Sequence, residues 1–315
     1  MAHDSTISHG GIPSFTEGKI PFIVRGETLE TYFKLVGDIA SCAHGPLIVL
    51  HGGPGISHDY LTPHSDLASR SPPLAVIYYD QVGNGRSTRL PSKDPSFWTI
   101  DLFVDELENL LAFFGVTSCF NLLGHSWGGI LAAEFIVRRQ PRGIRRLVIT
   151  NSLASAKLRE EAQVRLRAEL PEELQEVLKN HEAAGTTKSN EYKAAMSVFY
   201  TKHVCKLNPF PPELVYSVGL ADEDPSVLDA MNGGSVGINI HWDITKRIEL
   251  MRHVPTLLIN GEHDYLTDSV CEPFFWGIDR VKWVKFAHSS HTPYWEERER
   301  YMTVVGEFME DGEAK

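Results

Sequence analysis

Two hydrophobic periods alternate along this chain. Residues 46–50 (PLIVL), 74–79 (LAVIYY) and 120–123 (FNLL) are short, nearly continuous apolar runs. Runs buried on both faces belong to a parallel sheet covered on each side by helices. Further strands are predicted at 146–150 (RLVIT), 255–259 (PTLLI) and 281–286 (VKWVKF). Residues 18–38 mix alternation with a turn-like Arg25-Gly26-Glu27, which predicts an opening antiparallel hairpin. Between the second and third runs, Leu102, Phe103, Leu107, Leu110, Leu111 and Phe114 recur at helical spacing, so 98–114 reads as a helix. Strands alternating with helices imply the α/β class with a doubly wound, mostly parallel sheet.

The alternation stops between about residues 154 and 245. Residues 157–179 are charged and helical, and 192–204 read as another helix, after which Pro209, Pro211 and Pro212 interrupt the pattern. This block is predicted to be a helical cap over the strand ends; the plainer alternative is one more helical layer on the sheet. The predicted organisation is a core at 1–153, a helical cap at 154–245 and the rest of the core at 246–315.

The chemistry sits at the ends of the apolar runs. Gly124-His125-Ser126-Trp127-Gly128 fits G-x-S-x-G between a strand and a helix. Such a turn raises the serine hydroxyl above the sheet at a helix N-terminus, where the dipole favours developing negative charge. A serine needs a base, and in this arrangement the chain order is Ser, acid, His. After 255–259 comes Asn260-Gly261-Glu262-His263-Asp264-Tyr265, in which Asp264 is the expected acid and Glu262 and Asp268 are its rivals. After the last strand, Ala287-His288-Ser289-Ser290-His291 offers two histidines, of which His291 is the expected base. Other lone histidines, such as His58, His64, His203, His241 and His253, are read as structural. The expected oxyanion donors are the backbone amides of Trp127 and of Gly53 in His51-Gly52-Gly53-Pro54-Gly55.

Composition removes several other classes. Of the residues, 42% are hydrophobic and 23% charged, as in ordinary globular proteins. The net charge of -11 disfavours a nucleic-acid partner or an anionic membrane surface. Cys42, Cys119, Cys205 and Cys271 are scattered and read as reduced packing residues. Residues 1–15 have no basic and then apolar segment of a secretory signal, and no run approaches a membrane span, so the expected location is the cytoplasm. His263, Asp264, His288 and His291 lack zinc-ligand spacing, and Gly83 and Gly85 lack the third glycine of a dinucleotide loop. No metal or cofactor is expected.

The motifs HGGPG (51–55), DQVGNGRS (80–87), GHSWGG (124–129), GEHD (261–264) and SSHTPYWEERERY (289–301) together resemble the α/β-hydrolase superfamily, within it the proline iminopeptidase-like family. The resemblance implies the α/β-hydrolase fold, a Ser126–Asp264–His291 triad, the donors Gly53 and Trp127, a helical cap, and release of N-terminal residues from small peptides. It also implies cap carboxylates for the substrate ammonium. Here Asn208 stands where a Glu is expected, and 231–237 (MNGGSVG) hold no acid. Glu213, Glu223 and Asp224 are the nearby substitutes. The expected substrate contacts are Asn208, Ser235, Tyr265 and Glu296. The expected activity is hydrolysis of a small amide, ester or lactone, or of a short peptide, through an acyl-enzyme. The alternatives are a true aminopeptidase and a lyase or isomerase on the same fold.

Overall fold

The computed structural model describes residues 14–233 and 237–310. Eight strands form one sheet: β1 Phe15–Val24, β2 Glu27–Val36, β3 Leu47–Leu50, β4 Val76–Tyr79, β5 Phe120–His125, β6 Ile144–Thr150, β7 Thr256–Gly261 and β8 Val281–Phe286. Their spatial order is β1-β2-β4-β3-β5-β6-β7-β8. The opening hairpin is antiparallel and β2 joins β4 antiparallel, while β4, β3, β5, β6, β7 and β8 pair in parallel.

The apolar runs are explained by two cores. Ile48, Leu50, Ile77, Tyr79, Leu122 and Ile149 point into one, and Leu47, Val49, Val76, Tyr78, Leu123 and Val148 into the other. Period-2 alternation therefore divides each strand between two buried faces rather than between core and water.

The helices are α1 Ile100–Phe113, α2 Trp127–Arg139, α3 Ala156–Arg167, α4 Glu172–Ala183, α5 Asn190–His203, α6 Pro212–Glu223, α7 Ser226–Asn232, α8 Ile238–His241, α9 Asp268–Gly277, α10 Pro293–Glu296 and α11 Arg298–Glu310. Thr99 caps α1 by accepting from Leu102 N at 3.1 Å. The charged stretch 157–179 is not one helix. It divides into α3 and α4 around Pro171, whose ring supplies no N–H and sits just before α4.

Helices α3 to α8 lie in sequence between β6 and β7. Leu170, Leu178, Ala195 and Phe199 give α3, α4 and α5 a small core of their own. The segment returns to the sheet along α2. There the buried Glu134 carboxylate accepts from Trp242 Nε1 at 2.8 Å and from Arg247 Nη2 at 2.6 Å. None of the helices among the described residues is long and apolar enough to cross a membrane. The four cysteines are not bonded to one another, and Cys205 and Cys271 are buried.

Candidate active site

Ser126 stands at the junction of β5 and α2 with φ 54° and ψ -121°. A side-chain-bearing residue rarely adopts a positive φ, and such strain persists only where the surroundings impose it. The surroundings here are glycines in close approach. A Cβ on Gly124 would overlap the Gly128 carbonyl, and one on Gly128 would overlap the Leu50 carbonyl. Gly128→Ala is therefore expected to push β3 and α2 apart. The expected loss is about 3 kcal/mol, read as a fall in Tm of about 6 °C or more in a thermal melt.

The acid and base expected from the sequence meet beside this turn. His291 Nδ1 lies 3.0 Å from Asp264 Oδ1. The second Asp264 oxygen accepts from Asn151 Nδ2 at 2.7 Å, and Oδ1 also accepts from Leu266 N at 2.9 Å. Asp264 and His291 are only 1% and 6% exposed, so this geometry is held away from water. Since the carboxylate only accepts, Nδ1 carries a hydrogen, and in the neutral imidazole the lone pair is then on Nε2. Tyr265 Oη lies 3.4 Å from Nε2 and also interacts with the Ser126 hydroxyl. Burial and then the Asp264 charge raise the Tyr265 phenol, so it remains protonated.

A second network joins the three loops. Gly52 N donates to Tyr60 Oη at 2.7 Å, and Tyr60 Oη lies 2.7 Å from His125 Nδ1. His125 Nε2 lies 2.9 Å from the His291 carbonyl, which can only accept. The Tyr60 hydroxyl therefore donates to a bare Nδ1, and His125 is neutral with its hydrogen on Nε2. Burial, and then the neighbouring His291 ring, push its pKa well down in agreement. On the other side, Trp127 Nε1 donates to Gln81 Oε1 at 2.7 Å, and Gln81 N donates to His51 Nε2 at 2.9 Å. The loop after β3 and the start of α2 are thus fixed relative to each other. The Gly52 amide is occupied by Tyr60, whereas Gly53 lines the cavity. The Trp127 amide is the first of α2, and helix-opening amides lack an intrahelical acceptor.

Ser126 opens into a cavity of about 430 Å³. Gly53, Trp127 and Tyr265 surround the serine, Arg159, Gln163 and Arg167 form one wall, and Tyr192, Met196, Phe199 and Tyr200 form another. Among the described residues, no Asp or Glu lines it.

The other expected contacts fall elsewhere. Asn208 is exposed and outside the cavity lining, because the turn into α6 faces solvent there. Ser235 lies outside the described residues, as does most of the 1–15 segment. Glu296 is not in the lining either. Its carboxylate accepts from Ser290 N at 2.8 Å, from Ser290 Oγ at 2.7 Å and from Lys206 N at 2.8 Å. It therefore clamps the loop that carries His291 to the chain after α5. Glu223 pairs with Arg89 at 3.5 Å, and Asp224 accepts from Ser226 Oγ at 2.6 Å. Neither these two nor Glu213 lines the cavity.

His58, Asp59 and Asp80 bring metal-type ligand atoms within 4.8 Å of one another. These side chains already bond to one another and to Arg86. Asp80 accepts from His58 N at 2.9 Å and from Arg86 N at 2.8 Å and pairs with His58 Nδ1 at 2.7 Å, while Asp59 is forked by Arg86 at 2.9 and 3.0 Å. Burial opposes ionisation of Asp80, yet the facing His58 holds its carboxyl well below the ordinary range. The cluster is what folds the DQVGNGRS turn.

Residues 45–298 match the family described as the alpha/beta hydrolase fold. The chain belongs to that family, in its proline iminopeptidase-like branch. A proline iminopeptidase of Thermoplasma volcanium is 36% identical over 292 residues, covering 91% of this chain and 95% of that one. The solved structure of VinJ is 39% identical with a TM-score of 0.88, covering 95% of this hydrolase and 99% of VinJ. That of the proline iminopeptidase of Mycobacterium smegmatis is 38% identical with a TM-score of 0.83, covering 94% and 98%. This hydrolase is an enzyme of the serine-hydrolase type.

Sequence reasoning missed Asn151, Tyr60, His125 and Arg159. Asn151 could have been found by its place directly after β6, at the same sheet edge as Ser126 and Asp264. The others announce themselves only through contacts between distant segments.

Proposed function

We propose that this hydrolase cleaves a small amide, ester or lactone through an acyl-enzyme on Ser126, in a pocket not made for a free α-ammonium. Ser126 Oγ attacks the substrate carbonyl while His291 Nε2 takes the hydroxyl proton, and Asp264 holds the imidazole in the required tautomer. The tetrahedral oxyanion receives the Gly53 and Trp127 amides. His291 then gives its proton to the leaving group. Water repeats the sequence on the acyl-enzyme and releases the acid. Tyr265, beside both the nucleophile and the base, meets the substrate at the reacting carbonyl. Residues 154–245 act as the cap that limits substrate size, between the core segments 1–153 and 246–315.

The observation that carries this reading is the charge of the cavity. Arg159 and Arg167 line it, the latter paired with Glu182 at 2.5 Å, and no carboxylate is among the described lining residues. The three residues between the described parts, Gly234, Ser235 and Val236, carry no acid either. An ammonium about 6 Å from a guanidinium is repelled by about 3 kcal/mol at an effective dielectric constant of about 20. The names of the relatives favour a second reading, release of N-terminal proline. Anilides of proline and alanine, compared with their N-acetyl forms and with simple acyl esters, separate the two. Substrates without the ammonium are expected to show kcat/KM about tenfold higher or more. Preference for the free-amine anilides would establish the aminopeptidase instead. A product of unchanged mass would mark an isomerase.

A further inference from the structure

We propose that Arg159, Gln163 and Arg167 form an anion subsite, and that the preferred substrates carry a carboxylate on the acyl part lying under α3. This rests on the acyl-enzyme reading and names its substrate class.

The three residues are four apart on α3 (Ala156–Arg167), which puts them on one helical face. All three line the cavity that holds Ser126. Every polar hydrogen on the two guanidinium groups is a donor, and the planar fork matches a carboxylate. The part of the lining that comes from α5 is of different character. Tyr192, Met196, Phe199 and Tyr200 offer apolar and aromatic surface for a methylene stem. A chain that is apolar along its length and anionic at its end complements both walls.

The two arginines differ in position. Arg167 lies toward solvent and already pairs with Glu182 at 2.5 Å, which also accepts from Tyr192 Oη at 3.0 Å. Arg159 is half-buried and close enough to Tyr265 for its charge to act on that phenol. Burial presses the Arg159 pKa down, yet a guanidinium stays protonated in proteins. A charge-assisted hydrogen bond is stronger where it is shielded from water. The inner arginine is therefore the principal contact and Gln163 an added donor. The same charge excludes an ammonium, so attraction and exclusion come from one feature.

The test uses the whole enzyme and two matched esters. The p-nitrophenyl half-ester of adipic acid carries the carboxylate, and its methyl ester is the neutral isostere. The half-ester is expected to show kcat/KM about tenfold higher or more, as hydrogen bonds to a charged group require. Arg159→Gln is expected to remove most of that ratio, read as kcat/KM of the half-ester over that of the neutral ester within each protein. Should that variant misfold, Arg159→Lys and the salt dependence of the ratio in the parent enzyme serve instead, since screening narrows a charge preference. Equal turnover of the two esters, or an unchanged ratio in a folded Arg159→Gln, would overturn the subsite and leave the hydrolase reading standing. Absence of turnover of both esters, with Ser126 unlabelled by a fluorophosphonate, would overturn the hydrolase reading and the subsite with it.

Discussion

Ser126→Ala is expected to lower kcat on any turned-over ester by about 10⁴-fold or more, with KM changed only a few-fold. The size of the loss is set by the groups that remain. Alanine keeps the cavity, the Gly53 and Trp127 amides and the Asp264–His291 pair, and loses only the atom that forms the acyl bond. Water would have to attack in its place, without the fixed position that the strained turn imposes. The fold is expected to survive, because the bonds that hold the turn run through the serine backbone. Ser126 N donates to the Thr150 carbonyl at 3.1 Å, and the Ser126 carbonyl accepts from Ser152 Oγ at 2.7 Å. A thermal melt alongside the kinetics separates lost chemistry from lost structure.

Asp264→Asn is expected to cost about 10⁴-fold in kcat and to lower the melt, because an NH₂ at the Oδ1 position no longer accepts from Leu266 N, which lies 2.9 Å from it in the parent. The new amide is isosteric, so its oxygen can still accept from Asn151 Nδ2, which lies 2.7 Å away in the parent. Its NH₂ then faces His291 Nδ1, which in the parent lies 3.0 Å from a carboxylate oxygen. Two donors cannot face each other, so His291 gives up its Nδ1 hydrogen and carries it on Nε2. The nitrogen facing the reaction becomes a donor when the step needs an acceptor. Steady-state kinetics of the variant check this directly. A loss of less than about tenfold would mean that His291 does not depend on Asp264 for its tautomer.

Much of the fold could be read from the chain because its parallel strands are buried on both faces. Runs such as 46–50 and 74–79 have no polar position to confuse the period. Asp264 and His291 were legible from their place: each follows a strand, Thr256–Gly261 and Val281–Phe286, and strand ends of one sheet edge lie together. The division of 157–179 was harder. Its charged periodicity continues past Pro171, and only the missing N–H marks the break. Glu296 stands beside the histidine loop in sequence. Its bonds to Ser290 and Lys206 belong to a tertiary meeting that no local pattern records. The same holds for Tyr60 and His125, which lie 65 residues apart in sequence and share a hydrogen bond. Arg159 sits in a stretch of alternating charge that resembles a solvated helix face. Its place on the cavity wall comes from the way α3 lies over Ser126.

The central claim is that the acyl group passes through Ser126. Its most direct measurement is peptide mass analysis after reaction with a fluorophosphonate, on the parent, Ser126→Ala and Asp264→Asn. The adduct is expected on the peptide containing Ser126 alone, to form much more slowly in Asp264→Asn, and to be absent from Ser126→Ala. An adduct on another residue, or labelling of Ser126→Ala at the parent rate, would contradict it.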